Sequence, residues 1–320
     1  MSLPYYSFSQ FLKSHFGFPV RKIVVDAGFT CPNRDGTKGT QGCVFCNNEA
    51  FSPALSLSTL SLRDQIQQGI SQARKRKSTL EHFIVYFQPF SNTYKPLDEL
   101  NRLYRIPLEF PEVVGIAIGS RPDCFDPEIF PLLEELSQKT QLWIELGLES
   151  AHDATLCAIN RGHTLADFIQ TFHKLRRLPK ILICVHLIQG LPGETKKMML
   201  DTVKLLNRLH PDAIKFHQLE IVRDTPLALS YAKGEVSLLS TPDYLDILGS
   251  SLELLQNDIV IQRLFGFTPS DFLLAPRVEK NINYNQSALD YFKSLGIIQG
   301  QRANQEDLSC ALLEKLSNTP

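Results

Sequence analysis

The sequence predicts an α/β fold built on a parallel sheet, closed toward a β/α barrel rather than laid out flat. Three observations carry this. Six short apolar runs alternate with amphipathic runs of helical period, the rhythm of successive βαβ units. The strand runs are almost continuously apolar, as expected when both faces of a sheet are covered. The unusual polar residues cluster just after the strands, at positions that meet at the C-terminal mouth of a barrel. A flat doubly wound sheet is the rival, but it usually binds nucleotides through a Gly-rich first loop, which is absent here.

The elements follow in order. "KIVVDAGF" (22–29) reads as the first strand, and a loop carrying three cysteines follows it. Leu62, Ile66, Ile70 and Ala73 then sit at helical spacing. "HFIVYFQ" (82–88) is the second strand, with a helix near Leu97 to Tyr104, and "VVGIAIGS" (113–120) is the third. Its helix is expected to be capped by Asp126, with Pro127 in the first turn and Ile129, Leu132, Leu133 and Leu136 inward. "LWIELGL" (142–148) is the fourth strand, followed by a helix capped by Thr164. "KILICVHLIQG" (180–190) and "DAIKFHQLEIV" (212–222) are the fifth and sixth, with a helix near 195–209 between them. From about residue 231 the rhythm changes. A capped helix starts at Thr241-Pro242, "IVIQRLF" is a candidate further strand, and two helices end the chain. The division is therefore a barrel over 1–230 and an extension over 231–320 that completes or covers it.

With 320 residues and 43% hydrophobic content, the chain can bury a large core. No apolar run approaches membrane-spanning length, and the aromatic, polar start "MSLPYYSFSQFLKSHF" lacks the apolar block of a secretion signal. The expectation is a cytoplasmic protein without membrane contact, in which thiols stay reduced and grouped cysteines mean metal or catalysis. A net charge of −1 neither announces nor excludes nucleic-acid binding, for which a local patch suffices.

The chemistry is concentrated in "FTCPNRDGTKGTQGCVFCNNEAF" (29–51), with Cys31, Cys43 and Cys46. A cubane [4Fe–4S] cluster normally takes four cysteines. Three leave one iron open, and an open iron can chelate the amino and carboxylate groups of S-adenosylmethionine (SAM). The competing reading is a structural zinc site, but the loop holds no histidine and no second Cys-x2-Cys pair exists. Cys124, Cys157, Cys184 and Cys310 are isolated and read as structural.

Cys43-Val44-Phe45-Cys46 has the C-x-aromatic-C ending of the radical SAM superfamily, although eleven residues separate Cys31 from Cys43 where three are common. Together with "RPDC", "LGLESAHD", "INRGHT" and "HLIQGLPGE", the loop resembles the bacterial YhcC/YtqA-like radical SAM family. That family is related to the radical SAM domain of the Elongator catalytic subunit. The resemblance covers roughly residues 15 to 280. It implies a partial (β/α)6 barrel of the TIM type, a [4Fe–4S] cluster on Cys31, Cys43 and Cys46, and SAM as cosubstrate. Reductive cleavage of SAM gives a 5′-deoxyadenosyl radical, and the cofactor carries this chemistry.

The resemblance further implies that Glu149 holds the SAM ribose, Arg161 the SAM carboxylate, and His186 a polar ribose contact. The superfamily's usual Gly-Gly-Glu after strand two, for the SAM amino group, is replaced by "YFQPFSNTY"; the candidates to substitute are Gln88, Thr93 or the backbone. Gly190 and Gly193 in "GLPGE" allow close backbone approach to adenine. On the substrate side, Arg121, Asp123, Lys215 and His217 are polar groups aimed at the mouth, since a charge in an apolar strand is costly unless used or paired. Arg121, Lys215 and His217 are the catalytic candidates. The family relationship points to tRNA, at a modified wobble uridine, with a flavodoxin or ferredoxin as electron donor. The alternatives are a radical SAM enzyme acting on a small metabolite or protein side chain, and a non-catalytic zinc-stabilised RNA-binding module.

Overall fold

A computed structural model describes residues 3–52, 58–277, 283–304, 308 and 310–317. Helix α1 (Phe8–Phe16) leads into strand β1 (Val20–Val25), the cysteine loop and the short α2 (Asn48–Phe51). Then come α3 (Leu62–Arg76), β2 (His82–Phe87), α4 (Leu97–Arg105), β3 (Val113–Ser120), α5 (Ile129–Lys139) and β4 (Gln141–Glu149). Helices α6 (Asp153–Ala158) and α7 (Leu165–Arg176) precede β5 (Ile181–Gln189), and α8 (Lys196–Leu209) precedes β6 (Ala213–Gln218). The remainder is β7 (Ile221–Val222), α9 (Pro226–Ala232), α10 (Thr241–Leu254), β8 (Val260–Arg263), β9 (Leu273–Ala275), α11 (Tyr284–Leu295) and α12 (Cys310–Ser317).

Seven strands form one parallel sheet in the order β1-β2-β3-β4-β5-β6-β8. It is a curled half-barrel of the predicted class, extended by a seventh strand drawn from "IVIQRLF". Alternation along each strand sorts the side chains. Ile23, Phe83, Ile118, Ile144, Val185 and Phe216 point to the helix layer and form the main core. Ile84, Tyr86, Ala117, Trp143 and Cys184 point into the lumen, where Leu12 of α1 meets them. Phe8 and Phe11 set their rings edge-on to Trp143 at 5.7 and 5.3 Å. Helix α1 thus plugs the floor of the barrel, a role that the sequence reading did not assign to the N-terminal segment.

The ladder does not close on itself. Across the seam, Lys22 of β1 donates to Gln262 of β8 (2.8 Å), and Ile261 N–H donates to the Tyr6 carbonyl (2.8 Å). Helix starts follow local chemistry: Ser61, Thr164, Thr195 and Ser240 cap α3, α7, α8 and α10 with side-chain oxygens. The predicted Asp126 cap is corrected. Helix α5 begins at Ile129 behind Glu128 with no side-chain cap, because Asp126 and Pro127 are spent on the preceding turn, where the Asp126 carbonyl accepts Ile129 N–H. The predicted sixth strand splits: β7 leaves the main sheet and pairs antiparallel with β9. No helix among the described residues is long and apolar enough to cross a membrane.

Candidate cofactor site

The loops after β1, β4 and β5 converge at the C-terminal end of the sheet. The cysteine loop is stitched to the α6–α7 connection, which explains why "INRGHT" accompanies it in the sequence. Val44 N–H donates to Ile159 O (3.0 Å), Asn160 Nδ2 to Gly42 O (2.7 Å), and Asn33 Nδ2 to Asn160 O (2.7 Å) and Arg161 O (3.0 Å). On its other flank, Leu227 N–H of α9 donates to Val44 O (2.9 Å), and Arg34 Nη2 to Cys46 O (2.5 Å). Gly42 has φ 74°, and a Cβ there would meet the Arg34 guanidinium at 2.8 Å. The loop is therefore held from three sides before any ligand arrives.

Cys31, Cys43 and Cys46 all carry free thiols. Burial pushes the Cys46 thiol up to about 11, and the neighbouring Cys43 and Cys31 add to the rise while Arg34 opposes it. A buried thiol beside two others, with an arginine against it, suits a cation or a cationic cluster that would hold it as thiolate.

Arg161 closes on this loop. Its Nη1 lies 3.5 Å from Cys43 Sγ, and its Nη2 donates to Gly147 O (2.9 Å) and pairs with Glu149 at 3.2 Å. Burial would depress the guanidinium, but Cys43 and Glu149 outweigh it and keep it charged. Its Nε is buried with no acceptor. Glu149 stands at φ 68°, a left-handed conformation unusual outside glycine, at a register shift between β4 and β5. Burial raises its carboxyl in spite of Arg161 and Arg121. It does not cap α6, whose cap His152 makes no side-chain bond. A Cβ on Gly147 would fall 2.3 Å from Arg161 Nη2 and 2.7 Å from Glu149 Oε1, so this glycine leaves the space in which the pair meets.

Below Arg161 lies a support that sequence reasoning aimed at substrate. Arg121 grips Asp123 with both edges of its fork (2.9 and 2.8 Å) and donates to Arg161 O (2.6 Å). Lys38 Nζ adds a contact to Asp123 at 2.5 Å. Burial alone would raise the Asp123 carboxyl, but Arg121 and Lys38 hold it down at about 2. Arg121 is 3% exposed and is a buttress of the site rather than an open cation at the mouth. Cys124 beside it is buried, and burial pushes its thiol up to about 12.

The other expected contacts are placed as follows. Gln88 Nε2 donates to Phe51 O (3.0 Å), and Thr93 bonds Ser120 Oγ (2.6 Å) and Cys124 O (2.5 Å). Gly190 turns at φ 87°, but the space beside it holds Leu239, 2.9 Å from where a Cβ would sit; Gly193 (φ 82°) faces open space. His186, Lys215 and His217 lie together in the lumen, where Lys215 rather than Phe216 faces inward. Sequence reasoning missed Asn33, Gly147 and Glu194; the last accepts from Ser150 Oγ and ties the ends of β4 and β5. It also missed Glu145, although a carboxylate inside "LWIELGL" is the same signal that marked Lys215.

The residues present fit an iron–sulfur cluster with SAM better than zinc. The side chain that meets Cys43 is an arginine, which does not ligate zinc, and its free buried N–H asks for an anionic partner.

The family profile described as the radical SAM superfamily matches residues 34–206, and that of the radical SAM C-terminal domain matches 211–293. The chain belongs to the radical SAM superfamily. YtqA of Bacillus subtilis is 35% identical over 272 residues, which cover 85% of this chain and 84% of YtqA. YhcC of Escherichia coli is 32% identical over 290 residues, covering 90% of this chain and 92% of YhcC. Among solved structures, the archaeal Methanocaldococcus infernus Elp3 with its N-terminus deleted superposes with a TM-score of 0.69 at 15% identity. That match covers 88% of this chain but 64% of the Elp3 chain, and it shows the shared fold. As a radical SAM enzyme, the protein uses a [4Fe–4S] cluster and SAM, and it depends on an electron donor.

Proposed function

We propose that Cys31, Cys43 and Cys46 hold the cluster, that Arg161 and Glu149 hold SAM, and that the enzyme abstracts hydrogen from a modified wobble uridine of tRNA. One observation carries the assignment of the site: Arg161 touches Cys43 Sγ and Glu149 at once, and keeps a buried N–H without an acceptor. When bound, cluster and SAM together supply a 5′-deoxyadenosyl radical.

The chain's own residues do the rest. Arg161 offers its free N–H to the SAM carboxylate, a charge-assisted bond. Glu149 offers an acceptor to the ribose hydroxyls, and its raised carboxyl range makes a hydrogen-bonding partner welcome. Arg121 and Asp123 keep Arg161 in place through its carbonyl. Gln88 is the better candidate for the SAM amino group, since Thr93 is buried and spent on Ser120 and the Cys124 carbonyl, and Gly193 rather than Gly190 leaves room for adenine. His186 gives its Nε2 to Glu145, so it is assigned to the lumen below and not to the ribose.

The substrate reading is supported by the relation to the Elongator catalytic subunit. The reaction that fits best cuts a 5-carboxymethylaminomethyl side chain back to aminomethyl: SAM would take up two electrons and a proton and leave as 5′-deoxyadenosine and methionine, the amine would be oxidised to an imine on its carboxymethyl side, and water would release that group as glyoxylate. The test is nucleoside mass spectrometry of tRNA from wild-type and deletion cells, and of tRNA incubated with enzyme, SAM and reductant. A uridine derivative should change in both. Unaltered profiles in both would remove tRNA as substrate and leave the superfamily assignment standing.

A further inference from the structure

Beneath the cofactor site the lumen holds a second polar cluster that SAM does not require. Glu145 of β4 is 1% exposed and accepts from Lys22 of β1 (2.5 Å), from Lys215 of β6, and from His186 Nε2 of β5 (2.9 Å). Lys215 and Lys22 both stand over the Tyr86 ring, at 4.6 and 5.0 Å from its centre. His217, one inward position above Lys215, lies 5.6 Å from the His186 ring, and its Nε2 is buried with no partner.

The charges do not balance. Two ammonium groups face one carboxylate, and burial pushes Lys215 down to about 8 although Glu145 opposes it. Both imidazoles are neutral: burial and Lys215 hold His186 at about 4, and burial and Arg263 hold His217 well below its ordinary value. Tyr86 is kept protonated by burial and Glu145. The next charge outward is Arg263, exposed and facing Glu220. One positive charge is thus left in a shielded space, at a cost that a bound anion would remove. Lys22 is committed to the seam through Gln262. Lys215 otherwise reaches only the Tyr86 hydroxyl at 3.4 Å. The floor is shut by α1, whereas the His186 side chain is 21% exposed, so the way in is from the mouth.

We propose that this cluster is the subsite for the reacting end of the substrate, and that this end carries a carboxylate bound by Lys215 and His217. The inference rests on the tRNA reading above and names what that site recognises. A polynucleotide backbone stays outside such a lumen, while a base turned out of its stack carries only its own substituent inside. One surplus charge matches one carboxylate, and His217 Nε2–H supplies the second hydrogen bond.

The test measures binding without turnover, with cluster and SAM present and no reductant. The probes are two anticodon stem-loops that differ only at the wobble base, 5-carboxymethylaminomethyluridine against 5-methylaminomethyluridine. The wild type should prefer the carboxylated RNA by roughly tenfold or more, the value of a hydrogen bond to a charged group. Lys215→Met leaves Glu145 paired with Lys22, so no bare charge is created. It and His217→Ala should each lose most of the preference, while affinity for the probe that lacks the carboxylate, iron content and SAM binding stay unchanged. A preference retained in both variants overturns the subsite and leaves the tRNA reading intact. So does a wild type that converts the carboxylated RNA on reduction yet binds the two probes alike. A wild type that neither binds nor converts either RNA overturns both.

Discussion

Arg161 makes its contacts with Cys43, Glu149 and Gly147 from one guanidinium, so its replacement separates cofactor binding from cluster assembly. Arg161→Ala is expected to weaken SAM binding by about 1.5–3 kcal/mol, the worth of a charge-assisted hydrogen bond. Iron content should be unchanged, and equilibrium SAM binding to the reconstituted enzyme checks it; unaltered affinity would move the carboxylate site elsewhere. Replacing Cys31, Cys43 or Cys46 by Ala should abolish a cluster of about four irons, read by iron analysis, whereas Cys124→Ala and Cys184→Ala should retain it. Asp123 is the stability counterpart. Its carboxyl is held at about 2 against an ordinary 3.8, so its contribution is present above pH 4 and is lost as the pH falls through 2. That shift is worth about 2 kcal/mol. Asp123→Asn should lose about this much at pH 7 and should show less acid dependence between pH 4 and 2, both measurable from urea midpoints.

At the scale of elements, β4 is the strand on which the site is organised. It carries Trp143 for the floor, Glu145 for the lumen, and Gly147 and Glu149 for the mouth, all on the inward period of two. Gly147→Ala pushes a methyl into the Arg161–Glu149 pair. It should cost about 1–3 kcal/mol of stability through overpacking, and SAM binding should fall as far as in Arg161→Ala. Normal SAM affinity in this variant would show that the pair is not where SAM binds. Helix α1 is the other decisive element. Leu12 is 7% exposed against the lumen residues, so Leu12→Ala should cost about 2–5 kcal/mol. Urea unfolding of the holoenzyme measures it.

For the molecule as a whole, the topology separates two faces. Each helix of a parallel sheet runs back from the mouth to the floor, so the basic end of α3 (Arg74 to Lys77) lies beside the start of β2, where Arg74 Nε donates to Leu80 O. The basic run at residues 74–77 is therefore a helix C-terminus at the floor, where the helix dipole favours cations, and lies at the opposite end from the mouth. Neutralising residues 74–77 should therefore change tRNA turnover by no more than about twofold, even though wild-type tRNA affinity should fall steeply with salt if phosphates are engaged. Turnover that collapses in this variant would mean that the RNA wraps the barrel.

The sequence by itself determined the class of fold and the superfamily, and it singled out the cysteine loop as the candidate site. Alternation of apolar runs is a local property, and the three cysteines with "LGLES" and "INRGHT" are contiguous signals that need no folding to be seen. Contacts between distant strands were decided only by the tertiary structure. Lys215 and Glu145 are 70 residues apart, and nothing local says that their side chains share a lumen. Arg121 and Lys215 both read as open cations, because a charge after or within an apolar strand must be used or paired. The sequence cannot say which; the fold pairs Arg121 with Asp123 and Lys215 with Glu145. The aromatic N-terminus likewise became a floor only when Trp143 was brought beneath it. Period and motif depend on neighbours along the chain, whereas charge balance depends on neighbours in space.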